Sequence, residues 1–337
     1  MPARDRDHDQ VDNAFGDHPN ISPADPRSWT AETVGAPAGW THPLPDALIA
    51  PLRSIAEAPG RGDAPITDLR LTADERAALG GYLAVAGREL DRGRGFVILD
   101  RLPVGRIPER EAVAVYWLIG QLLGEPIVQN VQGTLLYDVR DSGQDVASGA
   151  RFSVTNYESS FHTDNSFGET VLDYVGLLCL KTARTGGVSQ VVSGLAVVEA
   201  LRRESPGSLE ALCRPFHVDR RGGVREREAP TVLRPAIELG GPVPLFRYLR
   251  YWIEAGHAKA GEPLTAERRE ALDRLDAVLN RPALRAEFAL EPGQVYLINN
   301  RWILHNRTAF EDHPEPERRR HLVRLWLEAG NGPGPAS

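Results

Sequence analysis

The chain has 337 residues, room for one large domain or two smaller ones around a sizeable core. Hydrophobic residues make up 42% and charged residues 25%, and the formal net charge is −7, which argues against nucleic acid as the partner because phosphate binding wants a basic face. No apolar run reaches bilayer-spanning length, so no membrane role is expected. Two cysteines without a CxxC are too few for a disulfide framework, and the N-terminus lacks an apolar signal region; the expectation is a cytoplasmic protein.

Residues 1–44 are rich in Asp, Pro, His and Gly with little periodicity. They read as an N-terminal arm, partly ordered or flexible, draped over a single domain at 45–330, with a tail at 331–337. "LTADERAALGGYLAVAGREL" opens on Thr72-x-x-Glu75, a capping box, and continues with helical spacing. "GFVILDRLP" (95–103) is a buried strand, and "PEREAVAVYWLIGQLLG" (108–124) is a helix with proline at its first position. "TLLYDV" is strand-like, and "RDSGQDVASGARFS" is a long exposed loop. "VLDYVGLLCLKTA" and "GVSQVVSG" are strands, and "LAVVEALRRE" and "TAERREALDRLDAVLN" are helices. "LFRYLRYWI", "QVYLINNRWILH" and "HLVRLWLEA" are late strands. Short strands crowded late in the chain, with helices before and between them, predict a β-sandwich or jelly roll flanked by helices. There is no GxGxxG, GxxxxGK or GxSxG, so neither a nucleotide cofactor nor a hydrolase elbow is signalled.

Chemistry concentrates in "FHTDNSF" (161–167). On a strand His162 and Asp164 share a face, and an imidazole and a carboxylate so placed can reach one metal ion. A second His-x-Asp, His217 to Asp219, competes for the role. Two ligands are not a catalytic site, and a distant histidine has to complete a facial triad that leaves positions open. His305, at the end of "QVYLINNRWILH" and before a polar turn, suits that place. In "RRRHLVRLWL", Arg320, Leu322 and Arg324 alternate to one face, and a half-buried guanidinium there needs an anionic partner. Asn299, Asn300 and Arg301 either orient the ligands or pack the strand end. Arg250 is a candidate for the pocket or for a solvated strand face. His8, His18, His42, His257 and His313 lie in polar or loop contexts and read as exposed.

The set "FHTDNSF", "TGGVS", "PGQ...NNRWILHNRTAF" and "RRRHLVRLWL" resembles the taurine dioxygenase/clavaminate synthase-like (TauD/TfdA) branch of the Fe(II)/2-oxoglutarate-dependent oxygenases, from about Gly95 to Leu327. The resemblance implies an α+β, mainly β fold: a double-stranded β-helix, the cupin-like jelly roll, flanked by helices. It implies Fe(II) on His162, Asp164 and His305. It places the far carboxylate of 2-oxoglutarate on Arg320 and on Ser189, where the family more often has threonine. Arg324 falls where several members meet an acidic substrate group. Tyr137, Asn156, Glu158 and Phe167 are further candidates to face substrate; Tyr157 and Phe161 either line the pocket or belong to the core. The His217 pair lacks a GGxS/T at the right distance and is expected to be structural or to lie on the substrate side.

The implied activity is a dioxygenase that uses Fe(II), 2-oxoglutarate and O2 to oxidise an unactivated C–H bond of a small molecule. The expected outcome is hydroxylation of an amino acid or an amino-acid-derived biosynthetic intermediate, free or tethered to a carrier protein. Desaturation, cyclisation and epoxidation use the same cofactors. A carboxylate at 164 favours these over the related halogenases, which have Gly or Ala there. Two other classes compete with it: a metal-dependent hydrolase, for which no general base is evident, and a ligand-binding jelly roll without oxygenase activity. Oligomeric state is left open.

Overall fold

The computed structural model describes residues 25–143, 154–220 and 228–329. Two sheets face each other. The larger runs, in order, through Thr41–Pro43, Phe96–Asp100, Val295–Asn299, Tyr174–Lys181, His321–Ala329 and Gly124–Pro126, and Leu136–Val139 also pairs with His321–Ala329. The smaller is Arg285–Phe288, Ser189–Ser193 and Ile303–Arg307. This is the expected jelly roll.

Period-two alternation sorts the side chains into layers. Phe96, Ile98, Tyr296, Ile298, Leu322 and Trp326 point between the sheets, where they meet Val191 and Ile303. The intervening Val97, Leu99, Leu297, Val323 and Leu325 face the opposite side. There the helices Asp46–Glu57, Ala84–Asp91 and Glu109–Leu123 cover them with Leu52, Leu90 and Trp117. Val192 and Leu304 leave the back of the smaller sheet and are covered by Gly194–Glu204, Pro206–Leu212 and Ala266–Leu279. Both sheets are thus buried on both faces, which explains why their strands read as nearly continuous apolar runs.

The capping box at Thr72 and Glu75 forms in both directions, an arrangement worth on the order of 1 kcal/mol. Four expectations change. Pro108 is the cap of the helix Glu109–Leu123, one position earlier than its first turn. "QVYLINNRWILH" is two strands, Val295–Asn299 and Ile303–Arg307, which a corner at Asn300–Trp302 sends into different sheets. "LFRYLRYWI" yields only the short strand Leu245–Phe246, and Arg250–Ala260 is helical. Its buried positions Ile253, Gly256 and His257 follow helical spacing, Gly261 closes it at φ 71°, and Gly256 lets the helix approach the His217 backbone, where a Cβ would meet that carbonyl at 2.3 Å. Finally, the described part of the N-terminal arm belongs to the core. Trp29, Val34 and Trp40 are buried, and Thr41–Pro43 pairs in parallel with Ile98–Asp100. Residues 1–24 and 330–337, and most of the expected loop "RDSGQDVASGARFS", lie outside the described residues. Among the described residues no helix is long and apolar enough to cross a membrane.

Candidate active site

His162 and His305 meet through a single antiparallel bridge, with backbone N–H to carbonyl distances of 3.0 Å in both directions. The expected strand through "FHTDN" is only that bridge; Asp164 begins a turn. Alternation nevertheless holds. Thr163 points away, its hydroxyl donating to the Phe246 carbonyl at 3.1 Å and accepting the Tyr248 N–H at 3.1 Å. His162 and Asp164 therefore face the cavity between the sheets, and Asn300 clasps the turn. Its amide oxygen accepts the Asp164 N–H at 2.8 Å, and its amide nitrogen donates to the Asp164 carbonyl at 3.0 Å.

Ligand atoms of His162, Asp164 and His305 all lie within 4.8 Å of one another, the one such group of His, Cys, Asp or Glu among the described residues. Their protonation states suit a divalent cation. Burial, then the neighbouring His162, pushes the His305 imidazolium down to about 3. Burial likewise lowers His162, against the pull of Asp164. For Asp164 burial acts upward, but Arg324, the two imidazoles and the Trp326 indole outweigh it and leave the carboxyl at about 2. At neutral pH the group is two neutral imidazoles and one carboxylate, a donor set that fits Fe(II). His162 Nδ1 lies 2.8 Å from the Ser160 carbonyl oxygen and so carries the proton, leaving Nε2 as a lone-pair donor 3.7 Å from Asp164 Oδ1.

The same cavity is lined by Ser159, Val175, Leu177, Ser189, Tyr296, Asn306, Arg307, Arg320 and Arg324. Arg320 is 6% exposed, and its Nη1 has no hydrogen-bond partner among the described residues. Burial pushes it down to about 10, so it stays charged at neutral pH. The Tyr296 hydroxyl, Asn306 Oδ1 and His305 Nδ1 are also buried without partners among the described residues. Buried polar atoms are ordinarily satisfied, so the cavity is built to receive a polar ligand as well as a metal. The Gly186-Gly187 pair serves this end. Both have positive φ, and a Cβ on Gly187 would come 3.4 Å from Arg320 Nε.

The structure brings His162, Asp164, His305, Ser189, Arg320 and Arg324 together. Arg324, however, is already occupied: its Nη1 pairs with Asp164 Oδ2 at 3.2 Å and its Nε donates to Gln129 Oε1 at 2.8 Å. It also stacks against Tyr137 and Trp326, both at 5.0 Å. Tyr137 reaches the site only through that stack. Phe167 packs on Trp252 at 5.3 Å in the core behind the smaller sheet, and Phe161 is buried there too. Asn156, Tyr157 and Glu158 are exposed, and the Asn156 carbonyl accepts the Phe310 N–H at 3.1 Å. Asn299 bonds the Leu90 carbonyl and Arg301 pairs with Asp173, so both pack the strand end. Arg250 pairs with Glu254, Asp273 and Asp276 away from the cavity.

The second His-x-Asp is structural. Asp219 is buried and bonds Lys259 at 2.8 Å; His217 packs edge-on against His257. His257, expected to be exposed, is 4% exposed, with its ring nitrogens engaged by the His217 N–H and the Glu262 carbonyl. His42 and His313 are half-buried, and His8 and His18 lie outside the described residues.

Sequence reasoning missed Trp326, whose indole N–H donates to Asp164 Oδ2 at 3.0 Å, and Arg307. Both were signalled by period two: Trp326 follows Leu322 and Arg324 on the inner face, and Arg307 follows His305.

Residues 72–326 match the model of the taurine catabolism dioxygenase TauD, TfdA family. FR-33289 synthase of Streptomyces rubellomurinus is 27% identical over 309 residues, covering 90% of this chain and 89% of that protein. Asparagine oxygenase, solved with Fe(II), 3-hydroxyasparagine and succinate, superposes with a TM-score of 0.64 at 22% identity, covering 86% of this chain and 93% of its own. The non-haem iron oxygenase OrfP with Fe and α-ketoglutaric acid gives 0.61 at 18% identity, covering 86% and 94%.

Proposed function

The chain belongs to the TauD, TfdA family of dioxygenases, the non-haem Fe(II)/2-oxoglutarate-dependent oxygenases, and from that premise we propose that it hydroxylates a small molecule, an amino acid or an amino-acid-derived biosynthetic intermediate. The observation that carries the reading is a largely buried two-histidine, one-carboxylate group in one cavity with a buried arginine whose Nη1 has no hydrogen-bond partner among the described residues. Iron with 2-oxoglutarate and O2 supplies the oxidising power for an unactivated C–H bond.

The chain's own residues hold and shield. His162 Nε2, Asp164 and His305 would ligate the metal. The Ser160 carbonyl fixes the His162 tautomer, and Arg324 and Trp326 fix the carboxylate rotation. Arg320, with its fork suited to a carboxylate, and Ser189 would take the far end of 2-oxoglutarate. Val139, Val175 and Leu177 line the same space and keep water from it. The amino-acid substrate class is supported by two structural neighbours, asparagine oxygenase solved with 3-hydroxyasparagine and succinate, and OrfP solved with succinate and (3S)-hydroxy-L-arginine.

The test is substrate-dependent succinate release, with amino acids and their derivatives offered free and as carrier-bound thioesters, and mass analysis for a gain of one oxygen. Stoichiometric succinate and a hydroxylated product support the reading. A product that has lost two hydrogens would move it to desaturation or cyclisation, and one that gains an oxygen across a C=C bond would move it to epoxidation. Substrate consumption without succinate would contradict it.

A further inference from the structure

Arg307 stands two residues beyond His305 on the strand Ile303–Arg307, so it shares that residue's inward face. In the register of the smaller sheet it lies directly opposite Ser189, and both line the cavity. Its guanidinium sits 4.6 Å from the centroid of Phe310, and Arg320 sits 5.1 Å from the same ring. A buried arginine, Arg320, and a half-buried one, Arg307, thus share one aromatic platform beside one serine. Arg307 donates to the carbonyls of Thr308 at 3.1 Å, Thr155 at 3.1 Å and Tyr157. A guanidinium has five donor hydrogens, and three are used among the described residues. Asp312, an acid near both arginines, accepts the Arg320 backbone N–H on one oxygen at 2.7 Å.

Like charges held together in a low-dielectric cavity are unfavourable unless an anion joins them. A role confined to tying the 155–157 backbone to the strand does not require that Arg307 share a ring with Arg320. We propose that Arg307 is a second cation for the far carboxylate of the co-substrate, and that the Arg307–Arg320–Ser189 cradle makes the site select a dicarboxylate over a monocarboxylate 2-oxoacid. This rests on the assignment of Arg320 and Ser189 to that carboxylate.

The experiment is an anaerobic titration of the Fe(II)-loaded full chain, followed by the visible charge-transfer band of the metal chelate. 2-Oxoglutarate is compared with 2-oxobutanoate, which lacks the far carboxylate, on wild type, Arg307→Gln and Arg307→Lys. R307Q is expected to bind 2-oxoglutarate about tenfold or more weakly while its affinity for 2-oxobutanoate is unchanged, and R307K, which keeps the charge, to retain most of the preference. Equal weakening of both ligands in R307Q would reduce Arg307 to a backbone clamp and overturn the proposal, as would no weakening of either. Circular dichroism establishes folding. If R307Q does not fold, Arg307→Met, which keeps an apolar stem against Phe310 without the charge, is read the same way: selective weakening of 2-oxoglutarate supports the cradle, and equal or no weakening overturns it. No band in wild type with either ligand would instead overturn the co-substrate assignment, and the role of Arg307 with it.

Discussion

Arg324 grips the carboxylate of Asp164, Nη1 to Oδ2 at 3.2 Å, on the same oxygen that takes the Trp326 indole at 3.0 Å. The Arg324 and Asp164 side chains are only 11% and 9% exposed. Arg324 and Trp326 turn Oδ2 toward the framework, while Oδ1, 3.4 Å from the same Arg324 nitrogen, faces His162 at 3.7 Å. Arg324→Gln is therefore expected to weaken Fe(II) binding about 10–100-fold, the usual effect of losing a residue that orients a metal ligand. Isothermal titration with Fe(II) under anaerobic conditions measures it. Unchanged iron affinity with a raised substrate KM would return Arg324 to the role of substrate anchor.

Asn300 supports the same carboxylate from its backbone. Asn300→Ala removes the clasp on Asp164 and a third bond, to the Leu172 carbonyl at 3.3 Å. The expected loss is about 1–3 kcal/mol of stability in urea unfolding, because buried backbone groups are left unpaired. The iron affinity should fall with it. A variant as stable as wild type would show that the turn at Asp164 holds itself.

The metal-free protein should lose stability on the acid side before its carboxylates protonate. His305 in the fold sits at about 3, far below the ordinary histidine range near 6.5. The unfolded chain takes up that proton first, so stability is present above the unfolded value and falls as pH drops from about 6.5 toward 3. His162 shifts the same way. Chemical unfolding of chelator-treated protein at several pH values checks this, and His305→Gln should flatten the slope. A slope unchanged by H305Q would place the acid sensitivity elsewhere.

The second His-x-Asp gives a control. His217→Ala should leave the Fe(II)·2-oxoglutarate complex and turnover at wild-type levels. The His217–Glu262 pair involves an exposed carboxylate and adds little, about 1 kcal/mol or less. Loss of iron binding in this variant would contradict the structural reading of His217.

The triad was legible because its chemistry is local in kind: few residue types ligate iron, and a His-x-Asp with a distant strand-end His leaves few choices. Ser189 and Arg320 were expected only from the likeness of "TGGVS" and "RRRHLVRLWL" to the family motifs, and both line the cavity. The employment of Arg324 was not legible, because its partners are 160 and 195 positions away in sequence. The helix Arg250–Ala260 hid behind an aromatic run whose helical burial appears only once Gly256 packs on the His217 strand. The arm's place in the core depended on Trp29 and Trp40 closing over Phe96, at 5.5 and 5.3 Å, a contact that no local pattern announces.

The most direct test is an anaerobic titration of the purified protein with Fe(II) and 2-oxoglutarate, watching for the weak visible charge-transfer band, repeated on His162→Ala and Arg320→Ala. A band in wild type, absent in H162A and weakened in R320A, is the predicted result. Iron bound by wild type with no band on adding 2-oxoglutarate would contradict the oxygenase site.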